Sequence, residues 1–132
     1  AIAVHIIFLW LDHYISFSWL QLLVPFTSSY SNHVATFGVI LGSIGVALGV
    51  LAMYAVALMV LSSLGWINTR QGIWRKLHYL GYFVLPAVFV HALATGSDLK
   101  YGTFRTVWLL IGFMLVLIIL TRLWRARTLS RD

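Results

Sequence analysis

The sequence contains no cysteine among its 132 residues, and this absence excludes several kinds of site. Disulfide bonds, thiolate-bound metals and covalent haem attachment through a CxxCH motif all require cysteine. A metal or cofactor bound to this chain would therefore be held non-covalently, without a thiolate. The five histidines are the strongest ligand candidates among the remaining side chains.

Acidic residues are almost as scarce, since the chain has only three. They lie near predicted helix ends or near the C-terminus, which leaves no pair of carboxylates for general acid–base catalysis. No catalytic triad, phosphate-binding loop or metal-hydrolase motif occurs either. A transporter is also disfavoured, because the predicted helices lack the paired carboxylates and broken segments that ion coupling usually needs.

Apolar residues make up 61% of the chain and charged residues 9%, which is the balance of an integral membrane protein. Three runs are long enough to span a bilayer, and a shorter run opens the chain. We predict one domain over residues 1–132, an all-α bundle of about four transmembrane helices at residues 1–11, 33–64, 76–94 and 104–124. The first run covers only about 17 Å, so we expect it to continue upstream of Ala1.

The connections between these runs differ in composition. Residues 14–32 contain an amphipathic stretch that we expect to lie in the membrane interface before Pro25 breaks it, followed by a loop that caps the second helix. Residues 65–75 and 96–103 are expected to form loops. Pro86 is expected to kink the third helix, because proline cannot donate the usual backbone hydrogen bond.

Four glycines follow one face of the second predicted helix: Gly38, Gly42, Gly45 and Gly49. Small residues at this spacing allow another backbone, or a flat cofactor, to approach the helix closely. Helix packing alone is the favoured interpretation.

The distribution of cations indicates how the chain is oriented. Arg70, Arg75 and Lys76 lie between the second and third helices, and four arginines lie in the C-terminal segment, whereas residues 14–32 have no Lys or Arg. The positive-inside rule then places the 65–75 loop and the C-terminus in the cytoplasm. The net charge of +6 is thus explained by orientation in the lipid of a cytoplasmic (inner) membrane, and no nucleic-acid partner is predicted.

Three histidines fall at membrane depth within the predicted helices. His78 and His91 are roughly 20 Å apart along a helix axis, which places one near each membrane face. His5 lies in the outer half of the membrane, at the depth of His91 and on a helix of the same direction. We predict that His5 and His91 bind one haem iron from opposite sides, an arrangement that suits one-electron transfer. His78 would bind a second, inner haem together with a histidine upstream of Ala1.

Each of these residues also has a plainer interpretation. A membrane histidine is often a hydrogen-bonded packing residue, and in a structural or pigment-binding subunit it can ligate the magnesium of a chlorophyll. Arg75, with Arg70 and Lys76, either neutralises haem propionates or serves orientation alone. His13 and His33 are expected at the outer edge of the membrane as interface residues.

The sequence WRKLHYLGY at residues 74–82, followed by His91, resembles the W-x-x-L-H-x-L-x-Y…H stretch of the ferric reductase-like transmembrane domain superfamily. That superfamily includes bacterial haem subunits, such as the one serving periplasmic methionine sulfoxide reductase, and the NADPH oxidases and ferric reductases of eukaryotes. His5 in its apolar run and the LLVPF stretch at residues 22–26 are also similar to bacterial members.

The resemblance implies a membrane b-type cytochrome that passes single electrons across the membrane through bis-histidine haem b, with one or two haems. It implies that His78 and His91 are the two ligands on the third helix and that His5 is the second ligand on the first. No flavin or nicotinamide domain is recognisable in this sequence. The electron donor is therefore expected to be a separate flavoprotein or a quinol, with an acceptor or partner subunit at the outer face.

Overall fold

The fold is all-helical over the part of the chain that the computed structural model describes, which is residues 2–12, 15–30, 38–66, 69–99 and 101–129. The helices are α1 (Ile2–Leu11), α2 (Trp19–Leu23), α3 (Gly38–Trp66), α4 (Gln71–His78), α5 (Gly81–Thr95) and α6 (Thr103–Leu129), with a 3₁₀ turn at Ser97–Leu99. No strand occurs among these described residues. The predicted all-α class is confirmed at this level.

Three helical stretches are long and apolar enough to cross a membrane: Leu41–Trp66, Gln71–Thr95 and Thr103–Thr128. Each has 25 or 26 residues, which at helical rise is enough for a hydrocarbon core of roughly 30 Å. The outward faces of these stretches carry many exposed large apolar side chains, as lipid-facing helices do. The chain therefore has the features of a multi-pass membrane protein, to which α1 adds a shorter apolar helix.

Small side chains allow α3 and α5 to pack closely. Ala47 on α3 and Ala94 on α5 are each only 1% exposed. Gly45 lies so near α5 that a Cβ atom placed on it would be 2.5 Å from the Cβ of Ala94. At this position the small-residue spacing serves helix packing, as the sequence predicts, and it holds α5 in a defined register against α3.

Helix α6 packs on α5 through one aromatic side chain. The ring of Phe89 stacks on Trp108 at a centroid distance of 5.7 Å and an interplanar angle of 5°. The same ring fills the space beside Gly112, where an added Cβ would collide with it. Helix α6 thus lies against the side of α5 while most of its surface faces outward.

The short helix α2 is held at both ends. Ser18 and Gln21 form a capping box at its start, in which each side chain accepts a hydrogen bond from the other residue's backbone N–H. At its end the Tyr54 hydroxyl donates a 2.6 Å hydrogen bond to the Leu23 carbonyl. The side chain of Trp19 stacks on Trp10 with centroids 5.0 Å apart, which joins α2 to α1.

Two of the predicted boundaries are wrong. The segment 65–75 is not a loop throughout, because α4 begins at Gln71, where the Arg70 carbonyl accepts the first helical hydrogen bonds from Ile73 and Trp74. Helix α6 continues to Leu129 instead of ending at residue 124. Nothing in its last turns is a glycine or proline, and cations near a helix C-terminus are favourable because of the helix dipole. The predicted start of the second helix, at residue 33, lies outside the described residues, as do residues 31 and 32 of the loop predicted to cap it.

The third predicted span is interrupted at Tyr79–Leu80, between α4 and α5, whereas α5 runs unbroken through Pro86. Around the break several bonds close over three residues, including Leu80 N–H to Leu77 O at 3.0 Å. Such 3₁₀ geometry winds roughly 20° further per residue than an α-helix. Extra winding at this break is expected to reduce the angle about the helix axis between His78 and His91 below the roughly 140° of an ideal straight helix.

Candidate cofactor site between α1 and the α3–α5 pair

A cavity of about 660 Å³ separates α1 from the packed pair α3 and α5. Its volume is in the range of sites that bind drug-sized ligands and cofactors. Most of its walls are apolar side chains from the three helices, and Phe17 and Leu22 close it from the side of the α1–α2 segment. The slot is therefore suited to a large, mainly apolar molecule.

Polar groups are concentrated where the cavity reaches the segment after α5. Thr95, Ser97 and Asp98 line it there, and Tyr30 contributes a phenol. Burial raises the pKa of Tyr30 above its ordinary value, so this side chain stays neutral and able to donate a hydrogen bond at physiological pH. The cavity thus combines an apolar body with a polar end.

His5 on α1 and His91 on α5 both line this cavity. Their ring centroids are 6.4 Å apart and their planes are nearly perpendicular, at 88°. Two imidazoles that bind one metal ion through nitrogens at about 2 Å have ring centroids roughly 6 Å apart. The structure therefore brings these two predicted residues together at a separation that suits a shared axial pair.

His91 is held in one orientation by α3. Its Nδ1 lies 2.8 Å from the carbonyl oxygen of Gly45, and because a carbonyl only accepts, Nδ1 is the donor and carries the proton. A Cβ placed on Gly49 would be 2.5 Å from the same Nδ1 and 2.7 Å from Cε1. The Nδ1–Cε1 edge of the ring is thus seated on α3, and Nε2 keeps a lone pair for a metal.

His78 lies apart from this pair, on α4. Its Nδ1 is 3.2 Å from the Trp74 carbonyl, to which it can only donate, and its ring is tilted on the Trp74 indole with centroids 4.4 Å apart. Ser63 Oγ accepts a 3.0 Å hydrogen bond from the indole Nε1 and donates to the Met59 carbonyl at 2.8 Å. The Ser63 Oγ atom is 3.5 Å from His78 Nε2, which is too long for a good hydrogen bond. As in His91, Nε2 is therefore the nitrogen of His78 that is available to a metal.

The cationic candidates are less closely tied to the histidines. Arg75 and Lys76 are exposed in the last turn of α4, beside His78 in sequence, and Arg70 lies over the Trp66 ring at 5.9 Å. These positions are compatible with either of the predicted roles, propionate binding or orientation. His13 and His33 lie outside the described residues.

The donor set fits a haem better than a metal ion held by protein alone. Among the described residues no group of three or more His, Cys, Asp or Glu side chains could hold a metal ion. A pair of imidazoles on opposite sides of a slot is nevertheless a complete protein contribution when a porphyrin supplies the other four nitrogens. The cavity of about 660 Å³ has room for a large flat cofactor, and Gly49 leaves space for the ring of His91 against α3.

Sequence reasoning did not predict the groups that orient the histidines. The spacing of Gly45 and Gly49 marked the correct face of α3 but not its contact with an imidazole. Ser63 carried no signal, because a serine in an apolar helix usually bonds to its own helix. Backbone carbonyls such as those of Gly45 and Trp74 are present at every position, and only the fold shows which of them receive a side-chain donor.

No protein-family model, curated protein or solved structure matches this chain.

Proposed function

We propose that this chain is a membrane b-type cytochrome subunit that binds haem b in the cavity between α1 and the α3–α5 pair, with His5 and His91 as its axial ligands. The observation that carries the proposal is the 6.4 Å separation of the two imidazole centroids across an apolar cavity of about 660 Å³. Haem b supplies reversible one-electron chemistry, and two histidine ligands leave no open position for a substrate on the iron.

The residues of the chain have three tasks in this proposal. His91, oriented by the Gly45 carbonyl, offers Nε2 from the rigid α3–α5 pair. His5 offers the second imidazole from α1 on the opposite wall. The apolar side chains around them exclude water, which keeps the site in a low-dielectric surrounding and limits side reactions.

A second haem on the inner side is part of the same proposal. His78 has its Nδ1 engaged by the Trp74 carbonyl, so its Nε2 is the available nitrogen. Its second ligand would be a further histidine, and Arg75 would neutralise propionates. Two haems, one near each membrane face, would give a path for electrons across the bilayer.

The partners follow from this path. The electron donor is a separate flavoprotein or a quinol, and the acceptor is a molecule or partner subunit at the outer face. In a cytoplasmic membrane the donor would approach the side that carries Arg75, Lys76 and the C-terminal arginines, in keeping with the positive-inside rule.

The test is a reduced-minus-oxidised absorption spectrum of the purified protein, with haem quantified as its pyridine haemochrome. Haem b at one per chain supports the His5–His91 site alone, and two per chain support the inner site as well. A chlorophyll spectrum would replace the proposal with the pigment-binding alternative. Protein purified after expression with ample haem, yet free of any chromophore, would overturn the proposal.

A further inference from the structure

We infer that Gly45 and Gly49 are positioning residues that set the tautomer and ring orientation of His91 before any cofactor is present. The inference deepens the proposed function, on which the identity of the ligand depends. The tautomer itself depends only on contacts within the chain. It gives two glycines different tasks: one contributes its carbonyl oxygen and the other contributes the absence of a side chain.

The task of Gly45 is electronic. Its carbonyl oxygen is 2.8 Å from His91 Nδ1, which places a proton on Nδ1. A hydrogen bond of this kind raises the basicity of the opposite nitrogen and fixes which nitrogen binds a metal. The α-helical carbonyl is available to a side-chain donor because its second lone pair is not used by the backbone ladder.

The task of Gly49 is steric. One helical turn after Gly45 on α3, it leaves space that the Nδ1 and Cε1 atoms of His91 occupy. A methyl group there would be 2.5 Å from Nδ1, far inside van der Waals contact, so the ring would have to move. Ala94 is buried against Gly45, so α5 has little freedom to shift along α3. The ring of His91 would therefore rotate away from α3, and its hydrogen bond to the Gly45 carbonyl would be lost.

The two histidines of the cavity therefore differ in kind. His91 is seated on a tightly packed helix pair, whereas His5 is exposed on α1, on the far side of the cavity. We expect His91 to be preorganised in the protein without haem. In a site of this type, the loss of an orienting contact weakens metal binding about tenfold or more.

The experiment compares Gly49→Ala with Gly65→Ala in the full chain. Both substitutions add one methyl group to α3, but nothing lies within 4 Å of a Cβ at Gly65. The first readout is the ¹⁵N NMR spectrum of histidine-labelled protein without haem, with the His91 signal assigned by its loss in His91→Gln. The second readout is haem retained per chain during titration with free haem.

The expected result is an Nδ1–H tautomer at His91 in the unsubstituted protein and in Gly65→Ala. In Gly49→Ala the tautomer should become mixed and haem retention should fall about tenfold or more. An Nε2–H tautomer at His91, or equal behaviour of the two alanine variants, would overturn the inference. If the Gly49→Ala protein does not accumulate, the inference is tested by the His91 tautomer of the unsubstituted protein. An Nδ1–H tautomer in a protein that takes up no haem would reject the proposed function and leave the positioning of His91 supported.

Discussion

His91 on α5 donates a hydrogen bond from Nδ1 to the carbonyl oxygen of Gly45 on α3, at 2.8 Å and across 46 positions of sequence. The packing of α3 against α5 therefore also determines the orientation of the His91 imidazole, which is a candidate metal ligand.

Single substitutions of His5 and of His91 should each remove the haem proposed to bind between them. We expect His5→Ala and His91→Ala each to lose the haem that the pair shares, because one imidazole alone leaves an axial position open. His78→Ala is the matched control on the same span, and it should keep that haem. The measurement is haem per chain by pyridine haemochrome. Loss of all haem in His78→Ala with full haem in His5→Ala would contradict the assignment.

The nearly perpendicular imidazoles predict a magnetic signature. The planes of His5 and His91 meet at 88°, and low-spin ferric haem with crossed axial imidazoles gives a strongly anisotropic electron paramagnetic resonance signal dominated by one large g value. Parallel rings would give a rhombic signal with three resolved features. A rhombic signal assigned to this haem would show that α1 turns its imidazole when the cofactor binds.

The close packing of α3 and α5 predicts a large difference between two alanines on α3. Ala47 is buried in the core, whereas Ala57 is exposed. Ala47→Leu should destabilise the protein by about 1–3 kcal/mol, because extra methylene groups in a packed interior force side chains and backbone to shift. Ala57→Leu should change little. Thermal unfolding in detergent, followed by circular dichroism, measures both, and similar midpoints would contradict the described helix packing.

Replacing Ser63 should destabilise the protein more than replacing its neighbour Ser62. Ser63 accepts a hydrogen bond from the Trp74 indole and so links α3 to α4, whereas Ser62 bonds to the carbonyl of Met59 on its own helix. Ser63→Ala should lower stability by about 1 kcal/mol, because the indole N–H loses its acceptor. Ser62→Ala should cost less. An unchanged indole ¹⁵N–¹H resonance of Trp74 in Ser63→Ala would show that this bond does not form.

The absence of cysteine makes the membrane orientation directly testable. Ser29→Cys and Gln71→Cys each place one thiol at an exposed position at opposite ends of the spans. A membrane-impermeant maleimide applied to intact cells should label the first, and the second should react only in inverted vesicles, because the positive-inside rule places the α3–α4 connection in the cytoplasm. The reverse pattern would invert the predicted topology.

Much of the fold follows from local sequence. Apolar runs of 25 or 26 residues must be helical in a bilayer, since only a helix satisfies its own backbone hydrogen bonds there. The 3.6-residue period also identified the face of α3 that carries Gly45 and Gly49. Boundaries at polar segments were less predictable. The residues from Gln71 onward and those up to Leu129 are polar enough to be loops, yet both segments are helical. The first forms the separate helix α4, and the second extends α6.

The candidate site was likewise predictable in part from local sequence. Residue type and spacing were sufficient to select His5, His78 and His91 as candidates and to pair the first with the last by depth. They could not give the separation of the rings, the volume of the cavity or the carbonyl that holds His91. Those quantities depend on how far α1 stands from α3 and α5, and on contacts between residues distant in sequence. Such contacts arise only when the helices pack, because small residues such as Ala94 and Gly45 set the approach of the backbones.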